Sequence, residues 1–287
     1  MGRRVIATSV IRAAEKGGSH GGVYTIDLNS GKYEKVIDWS DPNIKWDGRG
    51  GERGLRGITF HNDRLYIATS EAICCFNKSF QQVDIYHSDK LRQCHEICTH
   101  KGKIYITSTS FNMIVEFDPV SKEFTRCLDN LPHNKTFHLN NIFSDGEKLY
   151  FSGSGYRSLW VLNNKASGFA AIQGGTHNVQ PYKEGILYNH TRQNSIVYAT
   201  HKGKIIEHFN IKQYDKKYFI NGDLPDEVAR TGFGRGLCTT DDYIIGGSSP
   251  ANISIYRHGD PNPIDTIFLS KDVRNAIHGL EVLPEGW

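Results

Sequence analysis

Six copies of a short phrase in this chain each open on a basic or imidazole side chain. These opening residues are Arg56, His95, His138, His177, Arg235 and His278. They follow one another at spacings of 39, 43, 39, 58 and 43 residues. Imidazole binds metals and exchanges protons near neutral pH, and guanidinium presents a planar fork to anions. Equivalent segments arranged in a ring would aim all six side chains at one centre.

Each copy is the first strand of a predicted four-stranded unit. In the second copy, β-branched and aromatic runs predict strands at 95–99, 104–107, 114–117 and 123–128. The pair Asp118-Pro119 supplies turn chemistry before the last of these strands. Repeats of about 40 residues built from four short strands are typical of propeller blades.

The two ends of the chain carry complementary parts of one unit. The N-terminal part offers strands at 5–8, 23–27 and 33–39 without a first strand, and the C-terminal part offers only a first strand at 278–284. Placing the last strand beside the first three protects sheet edges that would otherwise be open. We therefore predict an all-β, six-bladed β-propeller, closed by its C-terminal strand and forming a single domain over residues 1–287.

Bulk composition argues against several function classes. The net charge of +3 is small and dispersed, whereas nucleic-acid binding requires a concentrated basic stripe. No apolar stretch approaches the length of a membrane span, and the first residues do not resemble a secretory signal. The six cysteines lie in strand-like segments, without the spacing of a small disulfide scaffold. We expect free thiols, a cytoplasmic location, and neither nucleic-acid nor membrane partners.

The first of three possible chemistries is a metal centre. Four imidazoles suit a divalent transition metal, with Fe(II) first and Cu or Zn as alternatives. The predicted metal ligands are His95, His138, His177 and His278. The predicted catalytic residues around them are Arg56, Arg235, Glu96 and Glu281. The arginines would hold a small anionic substrate, and the two glutamates would orient the imidazoles.

This plan resembles the carotenoid cleavage oxygenases, which are propellers with four histidine ligands around iron(II). The resemblance is in architecture only, because those enzymes have seven blades and longer chains. It implies an iron-dependent oxidative reaction.

Two alternatives use the same residues differently. In the second chemistry a histidine acts as nucleophile or acid–base group without a metal, while arginine stabilises an anion. This resembles the bacterial arylsulfotransferases, six-bladed propellers in which a histidine carries the sulfuryl group. In the third chemistry, oxygen ligands bind Ca²⁺, which resembles the gluconolactonase and paraoxonase group and implies ester or lactone hydrolysis. The calcium candidates are Glu96, Asn141, Asn178 and Glu281. A non-catalytic binding propeller is a further class.

Polar residues around the ring are the predicted substrate contacts. They are Arg53 in the long Gly-rich connection 40–55, Asn141 and Asn178 on first strands, and Tyr156, Arg157 and His190 in loops between the second and third strands. Alternation along a strand cannot aim the basic residues and these amides the same way. Glycines after three of the basic residues would permit a bend there. A second long connection, 213–234, holds the one helical candidate, 224–230.

Overall fold

The computed structural model describes residues 4–40, 54–128, 137–163 and 165–287. Within these ranges the chain forms twenty-four strands and two single-turn 3₁₀ segments, Thr109–Phe111 and Lys216–Tyr218. The helical candidate at 224–230 is wrong: Ala229 N–H donates to Pro225 O at 2.8 Å, but the turn stops before Gly232, whose φ is +77°. Neither helical segment in these ranges has the length and apolar character to cross a membrane.

The strands form six antiparallel sheets of four. The first sheet contains β1 (Arg4–Ile11), β2 (Gly21–Asp27), β3 (Tyr33–Asp38) and β24 (Asn275–Val282). The second contains β4 (Ile58–His61), β5 (Arg64–Ala68), β6 (Ala72–Phe76) and β7 (Gln82–His87). The third contains β8 (Cys94–His100), β9 (Lys103–Ser108), β10 (Met113–Phe117) and β11 (Phe124–Leu128).

The remaining three sheets repeat this order. The fourth contains β12 (Leu139–Ser144), β13 (Leu149–Gly153), β14 (Ser158–Asn163) and β15 (Lys165–Ala171). The fifth contains β16 (Thr176–Tyr182), β17 (Gly185–His190), β18 (Ser195–Thr200) and β19 (Ile205–Asn210). The sixth contains β20 (Leu237–Thr239), β21 (Ile244–Ser248), β22 (Asn252–Tyr256) and β23 (Asp265–Phe268).

The first sheet joins the two ends of the chain. Its order is β24-β1-β2-β3, with Val5 opposite Val282 and Ile6 opposite Glu281. The predicted closure by the C-terminal strand is confirmed. Six four-stranded antiparallel sheets of this connectivity define the fold class as a six-bladed β-propeller, as predicted.

Contacts divide the chain into two compact units. The first comprises residues 1–56, 193–196 and 209–287, and the second comprises 57–192 and 197–208. The single-domain assignment stays a prediction. All six cysteines are free thiols, as expected from their positions in strands.

Apolar faces of neighbouring sheets form the core of each unit. In the first unit, Val5 and Ala7 of β1 share a buried cluster with Ile253 of β22 and Ile277 of β24. In the second unit, Ile97 of β8 and Ile106 of β9 belong to a cluster shared with the second sheet. Because side chains alternate across a strand, each sheet supplies one such row to each of its faces.

We expect Ile277→Ala to lower the free energy of unfolding by about 3 kcal/mol, because it opens a cavity beside the closing strand. Ile277 is fully buried (0% exposed). The matched control, Val282→Ala, lies on the same strand but is 39% exposed, so its effect should stay below about 1 kcal/mol. Urea unfolding measures the free energy of unfolding of both variants. Equal losses would contradict the conclusion that the buried face of the closing strand stabilises the fold.

Candidate functional site

A β-bulge interrupts the first strand beside the histidine in several sheets. In β8 the pairing with β9 shifts between Cys94 and Ile97, and in β16 the pairing with β17 shifts between His177 and Gln180. A bulge places an extra residue on one strand and bends it locally. The bend expected after the basic residue therefore takes the form of a bulge.

Hydroxyl groups on the neighbouring strand accept hydrogen bonds from backbone N–H groups that the bulges remove from the regular strand pairing. Glu96 N–H donates to Thr107 Oγ1 at 3.0 Å. At the equivalent position of the first sheet, Gly279 N–H donates to Thr8 Oγ1 at 2.9 Å. The Thr8 hydroxyl itself donates to Arg56 O. These two threonines fix the residues that follow His95 and His278, and sequence reasoning did not single them out.

His95 is held in one ring orientation. Its Nδ1 lies 2.9 Å from Gln93 O and 2.8 Å from Thr109 Oγ1. A carbonyl oxygen only accepts, so Nδ1 carries the proton. Thr109 is committed as a donor to Leu139 O at 2.6 Å, which leaves its oxygen to accept from Nδ1–H. In the neutral ring the lone pair therefore lies on Nε2.

His138 stands against His95. Their ring centroids are 5.2 Å apart with an interplanar angle of 78°. His138 has φ +46°, in the left-handed region that side chains other than Asn and Gly seldom adopt. Ser154 N–H donates to His138 O at 3.2 Å. A Cβ at Gly153 would lie 2.3 Å from Phe137 O, so this approach of the two segments requires glycine there.

His177 repeats the arrangement of His95. Its Nδ1 lies 2.9 Å from Thr191 Oγ1. The His177–Thr191 and His95–Thr109 pairs have the same separation of 14 residues in sequence. The recurring His-to-Thr spacing was therefore a signal in the sequence, and sequence reasoning missed it.

Glu96 and Asn178, two of the four calcium candidates, lie together. Asn178 Nδ2 donates to Glu96 Oε1 at 2.9 Å, and Asn189 Nδ2 donates to Asn178 Oδ1 at 3.1 Å. A Cβ on Gly57 would lie 2.9 Å from Glu96 Oε2, so the absence of a side chain at Gly57 makes room for the carboxylate. By contrast, the Asn141 amide donates to Val179 O at 2.9 Å and is buried between two first strands, where it supports the fold.

In the first unit, His278 pairs with an arginine. Arg235 Nη1 lies 2.6 Å from His278 Nε2. A guanidinium only donates, so Nε2 accepts and the neutral imidazole carries its proton on Nδ1. Arg56 is buried, with 5% of its surface exposed.

The described residues do not contain the predicted four-histidine metal site. There, no three His, Cys, Asp or Glu side chains are arranged to hold one metal ion. His278 directs Nε2 at Arg235, and His95 directs Nδ1 at a carbonyl. The iron, copper, zinc and calcium assignments stay predictions without support from these contacts.

The other predicted substrate contacts differ in their surroundings. Arg53 lies outside the described residues. The Tyr156 ring packs against Phe137 with centroids 4.4 Å apart, and Arg157 is exposed. His190 ends strand β17 and is 5% exposed, so its predicted place in a loop is wrong. Burial lowers the pKa of His190 and favours its neutral form.

Glu281 differs from an ordinary surface carboxylate. It lies on β24 and keeps some solvent exposure, yet desolvation by the surrounding protein raises its pKa to about 8. Burial and the nearby Glu281 charge also raise the pKa of the Cys238 thiol. Both groups are therefore predominantly neutral near pH 7.

Comparison with known proteins identifies the fold class. No protein-family model and no curated protein sequence matches the chain. A protein of unknown function from Bacteroides caccae is similar in structure, with a TM-score of 0.61 and 9% identity over 99% of this chain and 100% of that one. A chain of the nidogen/laminin complex gives a TM-score of 0.54 and 13% identity over 73% and 94%.

A streptogramin B lyase is a weaker structural match. Its TM-score is 0.45 with 16% identity, over 73% of this chain and 70% of that one. At these identities the similarities show the fold alone. The chain is thus a six-bladed β-propeller, a fold class that does not by itself define an activity.

We expect Glu281→Gln to flatten the pH dependence of stability. Because the folded pKa is raised from 4.5 to about 8, the folded state binds this proton more tightly than the unfolded state does. The stabilisation that the protonated Glu281 carboxyl contributes is present in full below pH 4.5 and is lost as the pH rises through about 8. Over this range the free energy of unfolding of the wild type should fall by about 2 kcal/mol more than that of the variant. This is less than the full pKa shift implies, because the side chain is partly exposed.

Urea unfolding at pH 5 and pH 8.5 measures this difference. Glu285→Gln, which removes an exposed carboxylate near the same end of the chain, is the control. Parallel pH profiles for wild type and Glu281→Gln would contradict the assignment.

Proposed function

We propose that the protein is an enzyme that performs metal-free acid–base catalysis on a small anionic substrate, with His95 as the base. The observation that carries this proposal is the fixed orientation of His95, whose Nδ1–H faces Gln93 O and Thr109 Oγ1. Catalytic imidazoles are oriented in this way, by a group that holds one ring nitrogen while the other exchanges protons.

His138 is the proposed acid. The two rings meet edge to face with centroids 5.2 Å apart. The two rings are therefore close enough for one to act as the base and the other as the acid on a single substrate.

The reaction class that this pair supports is hydrolysis or group transfer. His95 Nε2 removes the proton from an attacking water or hydroxyl group, and His138 donates a proton to the leaving oxygen. Each turnover then returns the pair to its starting protonation state after one proton exchange with solvent. The resemblance to the arylsulfotransferases, which use histidine and arginine without a histidine-bound metal, favours this chemistry among the three considered.

Glu96 supports the proposal as a positioning residue. It follows His95 directly, and its carboxylate accepts from Asn178 Nδ2 at 2.9 Å. This bond ties the bulge at His95 to the bulge at His177. Removing it would loosen the backbone that carries the base.

We expect His95→Asn to lower the turnover of EDTA-treated protein about 100-fold or more, which is the usual contribution of a positioned base. Thr109→Val, which removes one of the two acceptors at Nδ1, should lower turnover by a smaller factor. The assay is the release of p-nitrophenol from a panel of p-nitrophenyl esters, sulfates and phosphates, with lactones followed by proton release.

The matched control is His87→Asn, because His87 is an exposed histidine at the end of strand β7. Its activity should equal that of the wild type. Full activity in His95→Asn would overturn the assignment of the base. Activity that disappears with EDTA and returns with added iron would overturn the metal-free mechanism in favour of the four-histidine centre.

A further inference from the structure

A serine and a histidine are in direct contact at the far end of the strand that carries His95. His100 Nδ1 lies 2.8 Å from Ser144 Oγ. His100 ends β8 and Ser144 ends β12, two first strands that pack side by side in the second unit. His100 follows His95 by five positions on β8, which is about 17 Å along a strand. The Ser144–His100 pair is therefore separate from the site around His95.

The Ser144 hydroxyl is placed to donate its hydrogen to the imidazole. Gly146 N–H donates to Ser144 Oγ at 3.1 Å, so this oxygen already accepts one hydrogen bond. Burial and the charge of Lys101 lower the pKa of His100 below its usual 6.5, and the Asp145 charge opposes them in part. The ring is therefore predominantly neutral at pH 7, and its Nδ1 can accept the hydrogen that Ser144 has to donate.

Packing against Tyr105 holds the imidazole in position. The two rings meet edge to face, with centroids 6.0 Å apart and an interplanar angle of 70°. The Tyr105 hydroxyl donates to Glu116 Oε2 at 2.6 Å, which fixes the tyrosine in turn. His100 itself is buried, with 9% of its surface exposed. A base that is held in this way keeps its nitrogen directed at the hydroxyl group.

A carboxylate near the pair favours the charge that forms when the base takes a proton. Asp145 Oδ1 accepts hydrogen bonds from the backbone N–H groups of Glu147 and Lys148, at 2.9 and 2.7 Å. Its Oδ2 accepts one from the Tyr150 hydroxyl at 2.8 Å. Burial raises the pKa of Asp145, but these hydrogen bonds lower it more, so the carboxylate stays ionised. Its charge raises the pKa of His100 and thereby favours the imidazolium form.

The two turns beside the pair leave room for a reactant. A Cβ added at Gly102 or at Gly146 would meet no atom beyond its chain neighbours within 4 Å. Ser144 is half-buried, so part of its surface is open to solvent. A small reactant can therefore approach Ser144 from solution, while the base behind it stays buried.

We propose that Ser144 is a nucleophile that His100 activates, and that it takes the acyl group of small activated esters. Ser144 Oγ forms a bond to the ester carbonyl carbon while His100 Nδ1 takes the hydroxyl proton. The bond from that carbon to the leaving oxygen then breaks, and His100 returns the proton to the departing oxygen. An activated ester suits this pair because its leaving oxygen is a weak base and departs with little assistance. This inference goes beyond the proposed function and does not rest on it.

The acyl group should remain on Ser144. Once Ser144 Oγ is acylated, the acyl group covers Nδ1 of a histidine that is already buried. Water then reaches this nitrogen poorly, and the base cannot activate it for hydrolysis. The pair is therefore a site of covalent modification that reacts once with each acyl donor.

The test is the reaction of the full chain with p-nitrophenyl acetate. Absorbance follows the release of p-nitrophenol, and peptide mapping by mass spectrometry locates the acetyl group. We expect a burst of one equivalent of p-nitrophenol and one acetyl group on Ser144. The burst rate should reach half of its maximum below pH 6.5, because the reactive form contains a neutral His100 with a lowered pKa.

Variants separate the nucleophile from its base. Ser144→Ala should lose the burst, and His100→Gln should slow it about 100-fold, which is the usual contribution of a positioned base. The matched control is His61→Gln, because His61 ends β4 as His100 ends β8, and it should react like the wild type. Ser144→Cys guards against a folding defect in Ser144→Ala, since it keeps a nucleophile at this place and should take the acetyl group on its thiol.

Three results would overturn the inference. The first is the absence of a burst in the wild type, and the second is acetylation of lysines without acetylation of Ser144. The third is an equal burst rate in His100→Gln and His61→Gln, which would remove the role of the base.

His95→Asn separates this inference from the proposed function. The variant should keep the burst and the acetyl group on Ser144 even where it has lost turnover. Loss of the burst in His95→Asn would assign the reaction to the site around His95 and overturn the assignment to Ser144.

Discussion

The arrangement of the site depends on how the bulged first strands satisfy their backbone. A bulge removes an N–H group from the strand ladder, and an unpaired buried N–H is costly. Threonine hydroxyls on the adjacent strand meet this need at Glu96 and at Gly279. The same bulges turn the preceding histidines out of the regular alternation of the strand. The orientation of the candidate side chains and the backbone hydrogen bonding are therefore set by one local irregularity.

Hydroxyl groups also connect one blade to the next within each unit. The Thr109 hydroxyl accepts a hydrogen bond from His95 Nδ1–H and donates one to Leu139 O on the following first strand. Thr8 links Gly279 to Arg56 in the same manner. An imidazole orientation in one sheet is thus coupled to the backbone position of its neighbour. Each of these threonine hydroxyls accepts one hydrogen bond and donates another. A larger or an apolar side chain at Thr8 or Thr109 would therefore break two hydrogen bonds at once.

Much of the fold was readable in the sequence because it depends on local rules. Period-two alternation and turn residues located β8 to β11 to within about two residues, which is the usual uncertainty of strand ends, and the missing first strand predicted the pairing of β24 with β1. The contacts of the site were harder to foresee, because they depend on which residues oppose one another across a bulge. His190 shows the limit, since alternation did not reveal that β17 extends as far as this residue.

The pairing of β1 with β24 joins segments that are 271 residues apart at the bond between Gly279 and Thr8. During synthesis β1 therefore leaves the ribosome long before its partner exists. For that interval it presents an open row of peptide groups to any other extended chain nearby. We expect the nascent protein to rely on chaperones until its last strand arrives, and overexpressed chains to exchange that strand between molecules.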